Sequence, residues 1–552
     1  MIDNCVSTKK QDIDIINFRY GTRYSQRDIH PLLNAYKIMP VELFELASPV
    51  EIVQAFLNES KFLTSLKLYI LKPFTTTCIK ISCSHQTKQL NIEFKEYVDL
   101  YTSDSIQQAS VYQSKCQCSA MYYPNTYTYG SSRYVTSVSI LNQSSIYLGG
   151  KSAYTMEVLY DFAGALKSMY SGFENFCNSY NDRIMNSVLN KQLPNEQEII
   201  NNLRLLERRS FQNTWLVYRT ALFHFFMTNS SSIEIPLLVS DTKQRNNYFL
   251  SNIDRWNVLF TSLWSSHKDI KPCKENCSVA LITDGCQKPD RHICGFREVY
   301  IESEELGNIQ WGCGAHPLND KQHQSKSKYC GKHQHHESKF NTDKLQQQKI
   351  FDENQDTKYY TDADCNVSRD DRFMSRTTSY GILITLLNCG VIVSFEELYL
   401  CESTTRTLYH WIKTINNYSR STTIIMPRYW IYDNACGMLL TFNARLRNQR
   451  IIITPAVKQL QNMRFVIDRF HMENHKRSIC KIKTNPSKYH ELNDVNTQAC
   501  EQLNAKIKQY QNAFSSYTDP KSRIFYLILF HEFNCKLTKI SPYKNHSNYV
   551  KM

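Results

Sequence analysis

Two short apolar runs in the C-terminal half of the chain end directly in an aspartate: Val279-Ala-Leu-Ile-Thr leads into Asp284, and Tyr429-Trp-Ile-Tyr leads into Asp433. Runs of aliphatic, β-branched and aromatic residues bounded by polar turns are the pattern of strands buried on both faces. Such a strand needs a layer over each face, so this half of the chain is restricted to a layered α/β fold. An aspartate at the end of such a strand has two readings. It caps a helix or opens a turn, or it stands at a sheet rim as a hard oxygen ligand for a divalent metal.

The neighbouring segments extend the pattern. Tyr380 to Val393 reads as two strands turned at Asn388-Cys389-Gly390. A helix follows over Thr404 to Tyr418, then the strand that ends at Asp433, a helix over Ala435 to Leu446, a short strand Arg464-Phe-Val-Ile and a helix over Asn493 to Phe514. Strand, strand, strand, helix, strand, helix, strand, helix is the order expected of an RNase H-like mixed sheet with flanking helices. Between the first two strands, over residues 285–375, lies a Cys/His-bearing polar insertion with a Gln/Lys/Asp-rich tract, Lys344 to Lys358, that reads as a mobile loop.

Three further segments precede this domain. Residues 1–65 read as a leader, with helical apolar spacing in Pro40 to Leu57. Residues 66–150 alternate apolar with polar, as in Leu66-Lys-Leu-Tyr-Ile and Tyr134-Val-Thr-Ser-Val-Ser-Ile, and predict a small β-rich module. Residues 151–265 predict a helical domain from the spacing in Ala153 to Tyr170 and Glu196 to Met227, which leaves 266–552 for the α/β domain.

Charge and cysteine usage narrow the partners. The chain has 65 Lys and Arg against 51 Asp and Glu, a formal charge of +14, which favours a polyanion such as DNA or is simply a solvated basic surface. Met1 to Phe18 lacks the continuous apolar core of a secretory signal, so an intracellular protein is expected. The longest apolar stretch, Gly381 to Phe395, is about 15 residues against about 20 for a membrane helix, so no membrane association is expected. Nineteen cysteines in a reducing compartment point to zinc where they cluster with histidine, and to buried thiols where they do not.

Clusters are present. Cys78, Cys83 and Cys116-Gln-Cys118 offer four thiolates in the β-rich module, the number a closed tetrahedral site requires, although their spacing is irregular. In the insertion, Cys294 and Cys313 precede Cys330-Gly-Lys-His333, whose close Cys/His pair is typical of zinc ligation. Cys273 and Cys277 form another close pair that shares this site or completes another, whereas His316, His323, His335 and His336 are expected to be solvated. After the fifth strand come His471, His475 and Cys480, which bind zinc, contact DNA, brace the site or sit as hydrogen-bonded core residues. A basic run from His475 to Lys488 contains Lys476, Arg477, Lys481, Lys483 and Lys488 and either tracks a nucleic-acid backbone, serves as an import signal or is a solvated face. For a third acid, Glu501 lies nearly opposite the apolar face formed by Val495, Ala499, Leu503, Ile507, Tyr510 and Phe514, and Asp468 and Asp494 are alternatives.

Ile282-Thr-Asp-Gly, Phe395-Glu-Glu-Leu-Tyr-Leu-Cys-Glu-Ser, Tyr432-Asp-Asn-Ala-Cys436, Val466-Ile-Asp-Arg-Phe-His-Met-Glu-Asn-His475 and Val495-Asn-Thr-Gln-Ala-Cys-Glu-Gln502 together resemble the Kyakuja-Dileera-Zisupton (KDZ) transposases in order and spacing. Cys116-Gln-Cys118 is similar to the Cys-x-Cys clusters that accompany them, and a Cys/His-rich insertion after the first acid is likewise a family trait. The resemblance implies a DDE nuclease and strand-transferase with the triad Asp284, Asp433 and Glu501, and it favours Glu501 over Asp468. Asp433-Asn-Ala-Cys436 looks like the Asp-x-x-Cys/His element of related cut-and-paste transposases, which makes Cys436 a structural neighbour of the second metal ligand. The resemblance further implies Mg²⁺, or Mn²⁺ in its place, beside Zn²⁺, with transposon ends and target DNA as partners, a homo-oligomer on DNA and a nuclear location. The alternative is a domesticated relative whose zinc modules bind DNA or protein without catalysis.

Overall fold

The computed structural model describes residues 69–141, 143–190, 203–274, 276–287, 290–318, 327–336, 377–418 and 425–544. The leader expected over 1–65, the tract Lys344 to Lys358 and His323 lie outside the described residues.

Threonine-, serine- and tyrosine-rich alternation produces the first sheet. Its strands are β1 (Tyr69–Leu71), β2 (Ile92–Tyr101), β3 (Ile106–Lys115), β4 (Met121–Tyr122), β5 (Tyr127–Tyr129), β6 (Ser132–Thr136), β7 (Ser145–Ile146) and β8 (Ser152–Thr155). Tyr122, Tyr127 and Tyr134 stack across β4, β5 and β6 with ring centroids 5.8 and 5.1 Å apart, the cross-strand pairing that favours aromatic residues in sheets. The strand expected to run through Ile140 stops at Thr136. There Thr136 and Ser139 exchange backbone-to-hydroxyl hydrogen bonds of 3.0 Å each and turn the chain into a short helix.

Helices α1 (Met156–Met169), α2 (Phe173–Leu189) and α3 (Arg208–Met227) follow, then β9 (Ser232–Ile235) and α4 (Thr242–Ser265). Strand β9 returns to pair antiparallel with β6, giving the order β7-β8-β2-β3-β4-β5-β6-β9. The sheet therefore draws strands from beyond residue 150, and the β-rich and helical segments are interleaved rather than sequential.

The second sheet is mixed. It contains β10 (Ala280–Cys286), β13 (Gly381–Leu387), β14 (Ile392–Leu398), β15 (Tyr429–Ile431) and β16 (Arg464–Val466), while β11 (Tyr300–Ser303) and β12 (Gly307–Gln310) form a separate hairpin in the insertion. The order is β14-β13-β10-β15-β16. Strand β13 is antiparallel to both of its neighbours, β14 and β10, and β10, β15 and β16 are parallel. At the β13–β14 turn, Gly390 adopts φ +91°, and Asn388 Oδ1 accepts from the N–H groups of Val279 and Ala280 at 2.9 and 3.1 Å.

Helices cover this sheet as its apolar strands require. They are α5 (Thr404–Asn417), α6 (Ala435–Arg447), α7 (Ala499–Ile507) and α8 (Lys521–Thr538). On α5, Trp411 stacks on Trp430 of β15 at 4.3 Å, and the Trp430 indole N–H donates to Thr283 Oγ1 at 2.8 Å. Helix α7 starts six residues later than the spacing at Asn493 predicts, because 490–498 is taken up by a 3₁₀ turn and a loop. Helix α8 is buried almost all round, and one continuous apolar core runs from α1–α4 through the second sheet to α8. Among the described residues, no helix is long and apolar enough to cross a membrane.

Glu532 of α8 ties three helices together. It is fully buried, receives Lys167 Nζ of α1 at 2.7 Å, and pairs with the guanidinium of Arg219 on α3, itself 2% exposed. Removing one member of a buried pair strands the other charge. Glu532→Ala is expected to lower unfolding stability by about 3–5 kcal/mol in denaturant titration, and a loss under about 1 kcal/mol would contradict this role.

Candidate functional site

Sheet geometry gathers acids at one rim. Asp284 lies inside β10, which continues to Cys286 rather than ending at the aspartate. Asp433 follows the parallel strand β15 by two residues and so reaches the same end. Strand β14 runs in the same direction as β10, since both are antiparallel to β13, and delivers Glu402 there. Helix α7 supplies Glu501, held in place by its neighbours: Cys500 Sγ lies 3.1 Å from the carbonyl of Ile282, and Asn504 Nδ2 donates to Asp284 Oδ2 at 2.6 Å.

Each inner acid has its own positioning contact. The Gly285 N–H donates to Asp284 Oδ1 at 2.8 Å, and the Asn434 N–H donates to Asp433 Oδ1 at 2.5 Å. The Tyr432 hydroxyl donates to Glu402 Oε1 at 2.8 Å. A side chain at position 285 would collide with the Glu402 carboxylate, so glycine after Asp284 leaves the space that Glu402 occupies.

The acids repel one another. Burial pushes the Asp284 carboxyl well above its ordinary 3.8, reinforced by Glu402, Asp433 and Glu501 in that order. Glu402 is pushed from 4.5 up to about 8 by burial and by Asp433, against the Tyr432 hydrogen bond. Asp433 rises from 3.8 to about 6 through burial, with Asp468 and Glu501 adding to it and the Asn434 N–H and His471 opposing it. Glu501 is exposed, yet its charge acts on both Asp284 and Asp433.

Asp468 and His471 form a second layer. Asp468 is 6% exposed, accepts from the N–H groups of Phe470 and His471 at 2.8 and 3.1 Å, and bonds His471 Nδ1 at 2.5 Å. That hydrogen bond raises the His471 pKa, so a positive charge is favoured beside the acids. Asp468 is thus engaged in capping its turn. Asp494 is exposed on the loop before α7 and is not among the charges that act on Asp284 or Asp433.

Spacing along the sequence gives Glu402 no role, although it sits in the segment Phe395 to Ser403. It stands four residues beyond β14, immediately before Ser403, which caps α5. A third apolar strand with an acid before the next helix cap is the signal that points to it.

Among the described residues, four Cys/His groups could hold a metal such as zinc, the ligand atoms of each lying within 4.8 Å of one another. Tetrahedral zinc bonded at about 2.3 Å to sulfur and about 2.0–2.1 Å to nitrogen sets ligand-to-ligand edges of about 3.5–3.8 Å. In the β-rich module Cys78–Cys118 is 3.7 Å and Cys83–Cys116 is 3.6 Å. In the insertion Cys294 and Cys330 lie 3.5 and 3.4 Å from His333 Nδ1, and Cys313–Cys330 is 3.9 Å. The pair Cys273 and Cys277 does not share that group. It joins His267 and Cys389, with Cys277 and Cys389 sulfurs 3.4 and 3.6 Å from His267 Nε2. These separations exceed the roughly 2.05 Å of a disulfide.

The fourth group is Cys436, His475 and Cys480, all buried, with His475 Nδ1 3.4 and 3.5 Å from the two sulfurs. His475 also hydrogen-bonds the backbone of Asp433, the kind of contact that orients a metal-ligating imidazole. His471 is not in this group. Lys476, Lys481, Lys483 and Lys488 are exposed and Arg477 half-buried on the segment that carries His475. His316 and His336 are half-buried and His335 is exposed, and none of them joins a Cys/His group.

Comparison of the chain with family models, curated proteins and solved structures returns no match to any of them.

The pKa shifts set a pH dependence. A carboxyl whose pKa is raised by folding stabilises the fold while protonated, and that contribution is lost as pH rises from about 4 through about 6 for Asp433 and about 8 for Glu402. A divalent cation offsets the repulsion that appears, so the Tm increase produced by Mg²⁺ is expected to be at least about twofold larger near pH 8.5 than near pH 5.5, and equal increases would contradict it. For the Cys/His groups, Cys330→Ser is expected to remove about one equivalent of bound zinc by elemental analysis, and unchanged zinc content would contradict ligation.

Proposed function

We propose that this chain is a metal-dependent polynucleotidyl transferase of the DDE type, a DNA transposase with an RNase H-like catalytic domain. The observation that carries the reading is the convergence of Asp284, Glu402, Asp433 and Glu501, whose charges act on one another at a single sheet rim. The sheet order β14-β13-β10-β15-β16, with β13 antiparallel to both neighbours, supports the RNase H-like assignment. The formal charge of +14 and the lysines beside His475 suit a DNA partner.

The donor set fits Mg²⁺ or Mn²⁺: carboxylate oxygens, several of them, with raised affinity for protons and hence for hard cations. Asp284, Asp433 and Glu501 would hold the ions, and Glu402 would join them. Divalent ions held there would supply the Lewis acidity needed for attack of water or a 3′-hydroxyl on a DNA phosphate and for charge stabilisation of the leaving oxygen. The protein's own groups do the positioning. Asn504 and Gly285 fix Asp284, Tyr432 fixes Glu402, and the Asp468–His471 pair places a cationic donor near Asp433 that suits a phosphate oxygen.

The Cys₄ group and the two Cys₃His groups have the four ligands of closed structural zinc sites. The His267 group clamps the end of α4 to the approach of β10 and the β13–β14 turn. The Cys436 group sits directly behind Asp433.

Activity on supercoiled DNA with Mg²⁺ tests the reading. Asp433→Asn and Glu402→Gln are each expected to reduce nicking by about 10²-fold or more while leaving zinc content unchanged. Nicking by Asp433→Asn at the wild-type rate would end the assignment, and a wild-type protein that binds DNA without cleaving it would indicate a domesticated relative.

A further inference from the structure

A cavity of about 770 Å³ opens where the first sheet meets the helices. None of the rim acids and none of the clustered Cys and His residues lines it. Its walls come from β2, β6, the β7–β8 connection and the first turns of three long helices: α3 at Arg208 to Ser210, α4 at Thr242 and Arg245, and α8 at Lys521. Helix N-termini carry the positive end of the helix dipole, so three of them lining one space favour an anion there even though α3 and α4 each have one N–H taken up by a capping carboxylate.

Side chains add to that field. Seven Lys and Arg residues line the cavity against two carboxylates, Glu96 and Glu207. Lys95 and Lys151 both close on Glu96 at 2.7 Å, and Arg208 pairs with Glu174 at 2.9 Å. Glu207 caps α3 by accepting from the Ser210 N–H at 2.5 Å, and nearby Asp241 caps α4 through Gln244 N–H at 3.0 Å. Among the described residues, Arg133, Arg209, Arg245 and Lys521 then have no carboxylate partner within ion-pair distance.

Two of these four are deeply buried. Arg133 is 9% exposed and Arg245 is 3% exposed, and the Nε–H of each has no acceptor. Their Nη1 groups donate to carbonyls, those of Leu148 at 2.7 Å and Val239 at 3.1 Å, and Arg245 Nη2 donates to Thr242 Oγ1 at 3.3 Å. Lys521 Nζ bonds Gln212 Oε1 at 3.2 Å. Burial together with Arg245, Arg208 and Arg209 pushes the Lys521 ammonium down to about 8, the sign of a cation among cations. A buried guanidinium with open N–H groups is unfavourable unless an anion completes it, and the planar fork of arginine matches the oxygens of phosphate.

We propose that this cavity binds a ligand bearing two or more phosphate groups, with Arg133, Arg209, Arg245 and Lys521 as its contacts. Its volume falls in the range that encloses a small ligand. The proposal stands independently of the acid rim and of the DNA-cleavage reading. The phosphates come either from a free polyphosphorylated compound or from the backbone of a nucleic-acid strand that enters the cavity.

Calorimetric titration of the full-length, zinc-loaded protein with inorganic tripolyphosphate and with a short single-stranded oligonucleotide distinguishes the two. At about physiological salt, tripolyphosphate is expected to bind once per chain, and the double variant Arg209→Met with Lys521→Met is expected to weaken it by about tenfold or more. Tighter binding of the oligonucleotide, weakened by the same variant, would assign the phosphates to a strand. If the double variant does not fold, Arg209→Met alone, at an exposed position, is expected to weaken binding by about threefold. The proposal is overturned if neither probe binds the wild-type protein, or if every probe that binds does so equally well in the variant.

Discussion

Like charges confined at one rim of a largely dry sheet repel strongly, because little water is present to screen them. Asp284, Glu402 and Asp433 are in that situation, and the fold is arranged to hold them there. Parallel pairing of β10 with β15 brings the two aspartates to the same end, and the two antiparallel steps through β13 return Glu402 to it. Thr283, one residue before Asp284, is locked by Thr385 at 2.7 Å and by the Trp430 indole at 2.8 Å, so the strand cannot slide to relieve the repulsion. Bound cations would relieve this repulsion, which is why the rim supports the proposed metal-dependent function.

The opposite end of the sheet is fastened by other chemistry. Asn388 and the His267–Cys273–Cys277–Cys389 group tie the β13–β14 turn to the start of β10 and to the end of α4. The Cys436–His475–Cys480 group anchors the segment behind Asp433. A second concentration of positive charge, remote from the acids, lines the cavity between the first sheet and the helices. The acidic rim and the cationic cavity are thus separate concentrations of opposite charge.

Much of the second sheet was legible because its strands are continuous apolar runs, and Asp284 and Asp433 stand out at their ends. The Cys78 group was legible from the number of its thiols, despite their irregular spacing, and the Cys294 group from the close pair Cys330 and His333. Other features depend on contacts that spacing does not encode. Glu402 competes with Glu396 and Glu397 in the same segment, and only the register of β14 shows which of them reaches the rim. Cys389 lies 122 residues from His267, so their meeting follows from the β13–β14 turn folding back against α4. Helix α8 lacks an amphipathic stripe because it is buried on nearly every side. The boundary at residue 150 dissolves because β9, placed after three helices, completes the first sheet. The phosphate cavity draws on segments scattered over more than four hundred residues, and no local pattern announces it.

The proposed chemistry requires the rim acids to hold two divalent ions close together. Electron paramagnetic resonance of the protein titrated with Mn²⁺ tests it most directly, since ions about 3.5–4 Å apart couple magnetically. Two coupled Mn²⁺ per chain are expected in the wild-type protein, with loss of the coupled signal in Asp284→Asn. Isolated Mn²⁺ alone, or a coupled pair that survives that substitution, would contradict it.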